Sequence, residues 1–219
     1  MNSPTEFQSR DDLVFFGKVN ASISHELKNI LAIISETAGF LNDLMHLAAE
    51  GKEVELGTLS SYSNDIVEEI ERGFMTINQM NRFSHSVDDF FKKVDLIEIL
   101  NLMIQLAGFL SFASKVRFEG SDGAALNIFT CPFRLQNLIY QILLFAFNSA
   151  GPHGEICISL HEKNGEARIT FEGLEPGTAQ NFPDDKIKRI ADSIQAEILV
   201  SRDSRALDLL IPFDINLPG

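Results

Sequence analysis

The sequence is poor in the residues that would tie it to several common roles. It holds two cysteines, Cys131 and Cys157, and no tryptophan. Cysteines so far apart, in no ligand-like spacing, argue against a thiolate metal site and read as small buried hydrophobes. Lysine and arginine number 18 against 31 aspartates and glutamates, a formal net charge of −13. Nucleic acid and anionic membranes both demand a basic footprint, so neither is expected as a partner. No apolar run approaches the ~18 residues of a bilayer span. The polar start MNSPTEFQSRDD has no signal-peptide core. A reducing cytoplasm is the expected compartment. Internal repeats and low-complexity segments are also lacking.

What is present suffices for a proper core. With 219 residues, 45% of them hydrophobic, the chain can bury one in one or two domains. Residues 11 to 48 follow a helical period: Ile23, Leu27, Ile30, Ile34, Leu41, Leu44 and Ala48 step by four and three, with Thr37 in the gap. Such a heptad seam packs against other helices. AAEGKEVELGTLS breaks the pattern with two glycines and reads as a hairpin connection. A second helix is expected from about Leu59 to Phe91, along the line Leu59, Tyr62, Ile66, Ile70, Phe74, Ile77, Met80, Ser84, Val87 and Phe91. A lone hairpin cannot hide seams this long. Two copies pairing into a four-helix bundle, a homodimer, is the expectation.

The texture changes after Asp95. LIEILNLMIQLAGFLSFA reads as a helix, then KVRFEG and ALNIFT as strands. CPFRLQNLIYQILLFAFNSAG is a helix with Pro132 near its start and Gly151 past its end. EICISLHEKNGEARITFEG is a β-hairpin about the turn KNGE. A last helix from PDDKIK and two closing strands complete the chain. The expected class is α+β: a helical hairpin over 11–92, then a two-layer α/β sandwich over 95–219.

SISHELKN, residues 22 to 29, resembles the phosphoacceptor box of the dimerisation and histidine phosphotransfer domain of sensor histidine kinases. MNRFSH resembles that family's second-helix close. VDLIEILNLMIQLA and IQAEILVSRDSRALDLLIPF resemble the start and end of its ATP-binding domain. The resemblance covers about residues 12 to 213, and its specific part is the phosphoacceptor box. It fails at the ATP site. Where the family carries an asparagine-bearing helix, QILLFA puts Gln141 and Phe145 at the asparagine positions, and phenylalanine offers Mg²⁺ no oxygen. EGLEPG stands in place of the adenine-binding Asp-x-Gly-x-Gly. PDDKIK, with Asp184 and Asp185, replaces the glycine-rich segment that cradles phosphates on backbone N–H groups. An intact box beside three lost ones resembles the dimeric histidine phosphotransferases, which pass phosphate between response regulators.

The resemblance implies a role for each residue of the box. His25 is the expected phosphoacceptor. Glu26 would hydrogen-bond the imidazole's other nitrogen, and Asn29 could orient water against a regulator's aspartyl phosphate. At about 100° per residue, Ile23, Leu27, Ile30 and Ile34 cluster on one side. His25 lies almost opposite, Asn29 one turn on, and Glu26 on the flank. The bland alternative is an ordinary solvated helix face, and His46 and His85 are read that way. No metal and no nucleotide cofactor is expected on this chain. The expected partners are response-regulator receiver domains, met through apolar contacts and positive residues such as Lys18 and Lys28. A regulator phosphatase and a non-catalytic pseudokinase that sequesters a regulator are the competing expectations.

Overall fold

The computed structural model describes residues 10–109, 115–120, 125–151, 154–163 and 165–215. The chain divides into two compact units. One is Phe16–Ser84; the other joins Met1–Phe15 to His85–Gly219.

The first unit is built from α1 (Arg10–Ala49), from Phe16 onward, and α2 (Leu56–Ser84). The turn between them closes on Gly51, at φ 80°. The N–H groups of Glu50, Gly51 and Lys52 donate to the carbonyls of His46, Ala48 and Leu47 at 3.0–3.1 Å, which satisfies the last carbonyls of α1. The second helix starts three residues before Leu59 and stops well short of Phe91. After Ser84 the chain makes a 3-10 turn, His85–Val87, and then a strand. Within this turn His85 Nδ1 meets Asp88 Oδ2 at 2.7 Å.

Ile23 and Ile30 of the α1 seam are buried; Leu27, Ile34, Leu41 and Leu44 are half-buried, and Ala48 is exposed. The face that α2 turns to α1 keeps the expected line through Tyr62 and Ile66 and departs from it over Ile70, Phe74 and Ile77. Phe83 stacks on Phe16 and Tyr62 on Phe40, with ring centroids 5.4 and 6.0 Å apart. Between them Gly73 faces Ile30, whose Cγ2 would sit 3.6 Å from a Cβ at the glycine. Of the expected line, Ile70, Phe74 and Ile77 are 43%, 64% and 40% exposed. Two stripes run along α2, one satisfied within the chain and one not.

The second unit is α+β. Five strands lie in the order β2 (Lys115–Glu119), β4 (Glu155–Lys163), β5 (Glu166–Glu172), β7 (Ala206–Pro212) and β6 (Glu197–Val200). The β2–β4 pair is parallel and the others antiparallel. Register puts Ile158 opposite Phe171 and Ile169 opposite Leu209, all four fully buried. Alternate residues, Arg168, Thr170 and Asp208 among them, are half-buried on the other face. One buried face and one wetter face make a two-layer stack, whose cover is α3 (Leu96–Gly108), α4 (Pro132–Ser149) and α5 (Asp185–Ser193). A separate two-stranded sheet, not anticipated, pairs β1 (Lys92–Asp95) with β3 (Asn127–Thr130).

Local chemistry sets the helix boundaries. The Asp95 carboxylate accepts the Ile97 N–H at 2.9 Å and caps α3. Pro132 opens α4, and Gly151, at φ 69°, follows its cap. Gly165 of the β4–β5 turn has φ 83°; Asn164 lies outside the described residues, as do residues 110–113, expected to extend α3.

Candidate functional site

Exposed His25 sits midway along α1, with half-buried Asn29 one turn on. The Asn29 amide lies 3.2 Å from His25 Nδ1, so this ring nitrogen is engaged on the helix's own surface. Nε2, the far ring atom, remains for chemistry. Lys18 and Lys28 are exposed on the same helix.

Glu26 is not on the flank beside the ring. It is 5% exposed and is held by Arg72 Nη2 of α2. Arg72 Nη1 bonds both carboxylate oxygens of Glu69, at 3.1 and 3.2 Å. Burial works to lower the Arg72 pKa, but the bonds to Glu26 and Glu69 outweigh it and raise it above the ordinary arginine value. Thr76, buried, donates its hydroxyl to the Arg72 carbonyl at 2.9 Å. Ser22 is also buried, while the Arg72 side chain, 42% exposed, reaches Glu26 from the edge of the hairpin. The spacing Ile23, Glu26, Ile30 places Glu26 with the buried residues and could have shown its direction. Arg72 was missed. Its signal was a single arginine in the acidic run EEIERG, three residues after Glu69.

In the second unit, the segments that depart from the ATP-binding pattern make contacts with one another. Phe145 stacks on Phe182, ring centroids 3.9 Å apart and 19° between planes. Gln141 donates to the Asn137 side-chain oxygen at 3.1 Å. The loop EGLEPG is tied to the end of α4: Glu175 N–H donates to the Ser149 carbonyl at 2.8 Å, and Leu174 is buried. The Glu175 carboxylate fills the space over Gly151, where a Cβ would collide with it. At the start of α5, the Asp184 carboxylate accepts the Ile187 N–H at 2.8 Å. That amide is one a phosphate would otherwise use, and the capping charge is of the wrong sign to admit one.

Among the described residues, no group of His, Cys, Asp and Glu is arranged to hold a metal ion. No described helix is long and apolar enough to cross a membrane.

No family model and no curated protein matches the chain. Solved structures do. It is similar to the nucleotide-free catalytic domain of the histidine kinase ThkA, at 17% identity and TM-score 0.44, over 57% of this chain and 99% of that one. It is similar to the Acinetobacter baumannii histidine kinase AdeS, at 11% identity and TM-score 0.47, over 81% and 95%. A third is ThkA in complex with the response regulator protein TrrA, at 16% identity and TM-score 0.45, over 93% of this chain and 64% of that one. At these identities the likeness is one of fold alone.

Proposed function

We propose that the chain is a histidine phosphotransfer protein of a two-component phosphorelay, working as a homodimer and without ATP. The observation that carries this reading is an exposed His25, inside a complete phosphoacceptor box, with Nδ1 engaged by Asn29 and Nε2 without a hydrogen-bond partner among the described residues. An Asn amide can offer either its N–H or, turned half a revolution, its oxygen. With the oxygen toward Nδ1–H, the Nε2 lone pair points outward. It attacks the phosphorus of an aspartyl phosphate on a receiver domain. The N–P bond forms as the P–O bond to aspartate breaks and the carboxylate leaves. Return to a second regulator's aspartate reverses these steps. Any Mg²⁺ belongs to the receiver's acidic pocket.

Three contacts favour a phosphate that arrives from another protein. Phe145 and Phe182 fill space next to the helix that bears the family's asparagines, Glu175 closes the loop onto α4, and Asp184 caps α5 with a negative charge. The Val67, Ile70, Phe74, Ile77 stripe of α2, exposed in the single chain, supports pairing of two hairpins.

Incubation with a phosphorylated receiver domain should label the protein, and His25→Ala should stay blank. Equal labelling of the variant overturns the reading. Saturable binding of Mg²⁺-ATP in calorimetry would overturn its ATP-free part. The second reading, a regulator phosphatase, rests on the half-buried Asn29 amide beside His25. It requires phosphate loss to water that survives His25→Ala and stops in Asn29→Ala. A pure sequestering role would leave binding intact in both variants, with no phosphate moved in any of the three proteins.

A further inference from the structure

The residue that follows the phosphoacceptor does not touch the imidazole. Glu26 is buried and bound to Arg72, while the group on Nδ1 is the Asn29 amide. We propose that Asn29 orients the His25 ring and that Arg72 is a positioning residue, which holds the Glu26 carboxylate inside the hairpin and away from that ring.

Three observations carry this. A carboxylate buried between helices is costly unless paired, and Arg72 supplies the pair from across the hairpin. Arg72 is itself anchored, by two bonds to Glu69 on its own helix, so its guanidinium is fixed before it meets Glu26. Asn29, one helical turn from His25, already fills the Nδ1 position at 3.2 Å. A ring partner that is a neutral amide accommodates both ring forms: its oxygen accepts from Nδ1–H, and its N–H₂ donates to a bare Nδ1. A carboxylate offers acceptors only. The amide therefore suits a ring that must gain a phosphoryl group and give it up again, with no negative charge on the ring's own partner.

The inference rests on the phosphotransfer reading for its purpose but not for its test, which needs no phosphate. In the full-length protein with ¹⁵N-labelled histidine, NMR of the ring nitrogens reports the balance of the two neutral forms. Asn29→Ala should shift the His25 ring signals, whereas Glu26→Gln should leave them in place. Arg72→Met releases Glu26 and should also shift them, and the double variant Arg72→Met, Glu26→Gln should restore the wild-type pattern. Arg72→Lys, which keeps the charge, should stay close to wild type. If Arg72→Met fails to fold, the Asn29, Glu26 and Arg72→Lys variants still decide the matter. Ring signals that move in Glu26→Gln and not in Asn29→Ala overturn the proposal. Signals unmoved by Arg72→Met in a folded protein, or a double variant no closer to wild type than Arg72→Met alone, overturn the part given to Arg72. Failure of phosphotransfer with the expected ring pattern intact would instead count against the function proposed above.

Discussion

The two units treat their apolar and polar surface in opposite ways. The hairpin buries a carboxylate, Glu26, against a part-exposed Arg72, and leaves Ile70, Phe74 and Ile77 outside. The second unit buries whole rows of apolar side chains, such as Ile156, Ile158 and Leu160, and turns charged pairs such as Arg168–Asp208 to the other face of its sheet. Where the hairpin is unsatisfied it offers surface to other molecules. In the second unit Phe145 of α4 stacks on Phe182, so aromatic surface there is covered by the chain itself. The difference is one of where apolar surface lies: partly outside in the hairpin, mostly inside in the second unit.

Perturbation of each unit should therefore read out differently. The largest contrast is expected from His25→Ala, which should abolish phosphoryl labelling while changing stability by no more than about 0.5 kcal/mol, because the side chain is exposed. Thermal melts and a labelling assay measure the two effects. Phe171→Ala, deep in the sheet's buried face, should cost about 3–5 kcal/mol in denaturant unfolding of the second unit. A loss below about 1 kcal/mol would contradict the close packing described. In the hairpin, Phe74→Glu should weaken self-association by roughly a hundredfold, seen by sedimentation, with little loss of helix signal. An unchanged dimer would show that the exposed stripe serves something else.

The smallest effect concerns Tyr140, fully buried in the second unit with its hydroxyl unpaired among the described residues. Burial pushes its pKa up to about 12. A raised pKa favours the protonated phenol in the folded state. The associated stability is complete below the ordinary tyrosine value near 10 and is lost as the pH climbs toward about 12. Tyr140→Phe should remove this alkaline dependence and be neutral or stabilising by up to about 1 kcal/mol at neutral pH. Unfolding measured across alkaline pH, in both proteins, checks the sign.

Much of this was legible in the residues because it is local. Pro132 and Gly151 bracket α4 by backbone constraint alone, and Asp184 announces a helix start through its short acceptor side chain. The period of α1 likewise placed His25 outward. The errors arose where a partner remote in sequence decides. The period alone puts Glu26 with the buried residues, but the partner that pairs its charge, Arg72, is 46 residues away. The apolar line of α2 was real, but periodicity cannot say which of two adjacent stripes meets α1; in the fold Gly73 faces Ile30 while Phe74 beside it is exposed. The stack of Phe145 on Phe182 was equally hidden, since substitution of an asparagine shows what was lost and not what fills the space.

That stack has a consequence beyond the chemistry of one site. A folded state that binds a nucleotide is stabilised in proportion to the logarithm of its concentration, so an ATP-binding unit senses the adenylate supply through its own stability. Rings supplied by the chain are present at a fixed effective concentration, whatever the state of the cell. On the function proposed here, the second unit would hold one conformation in abundance and in starvation alike. The flow through His25 would then follow the phosphorylation of its partners alone.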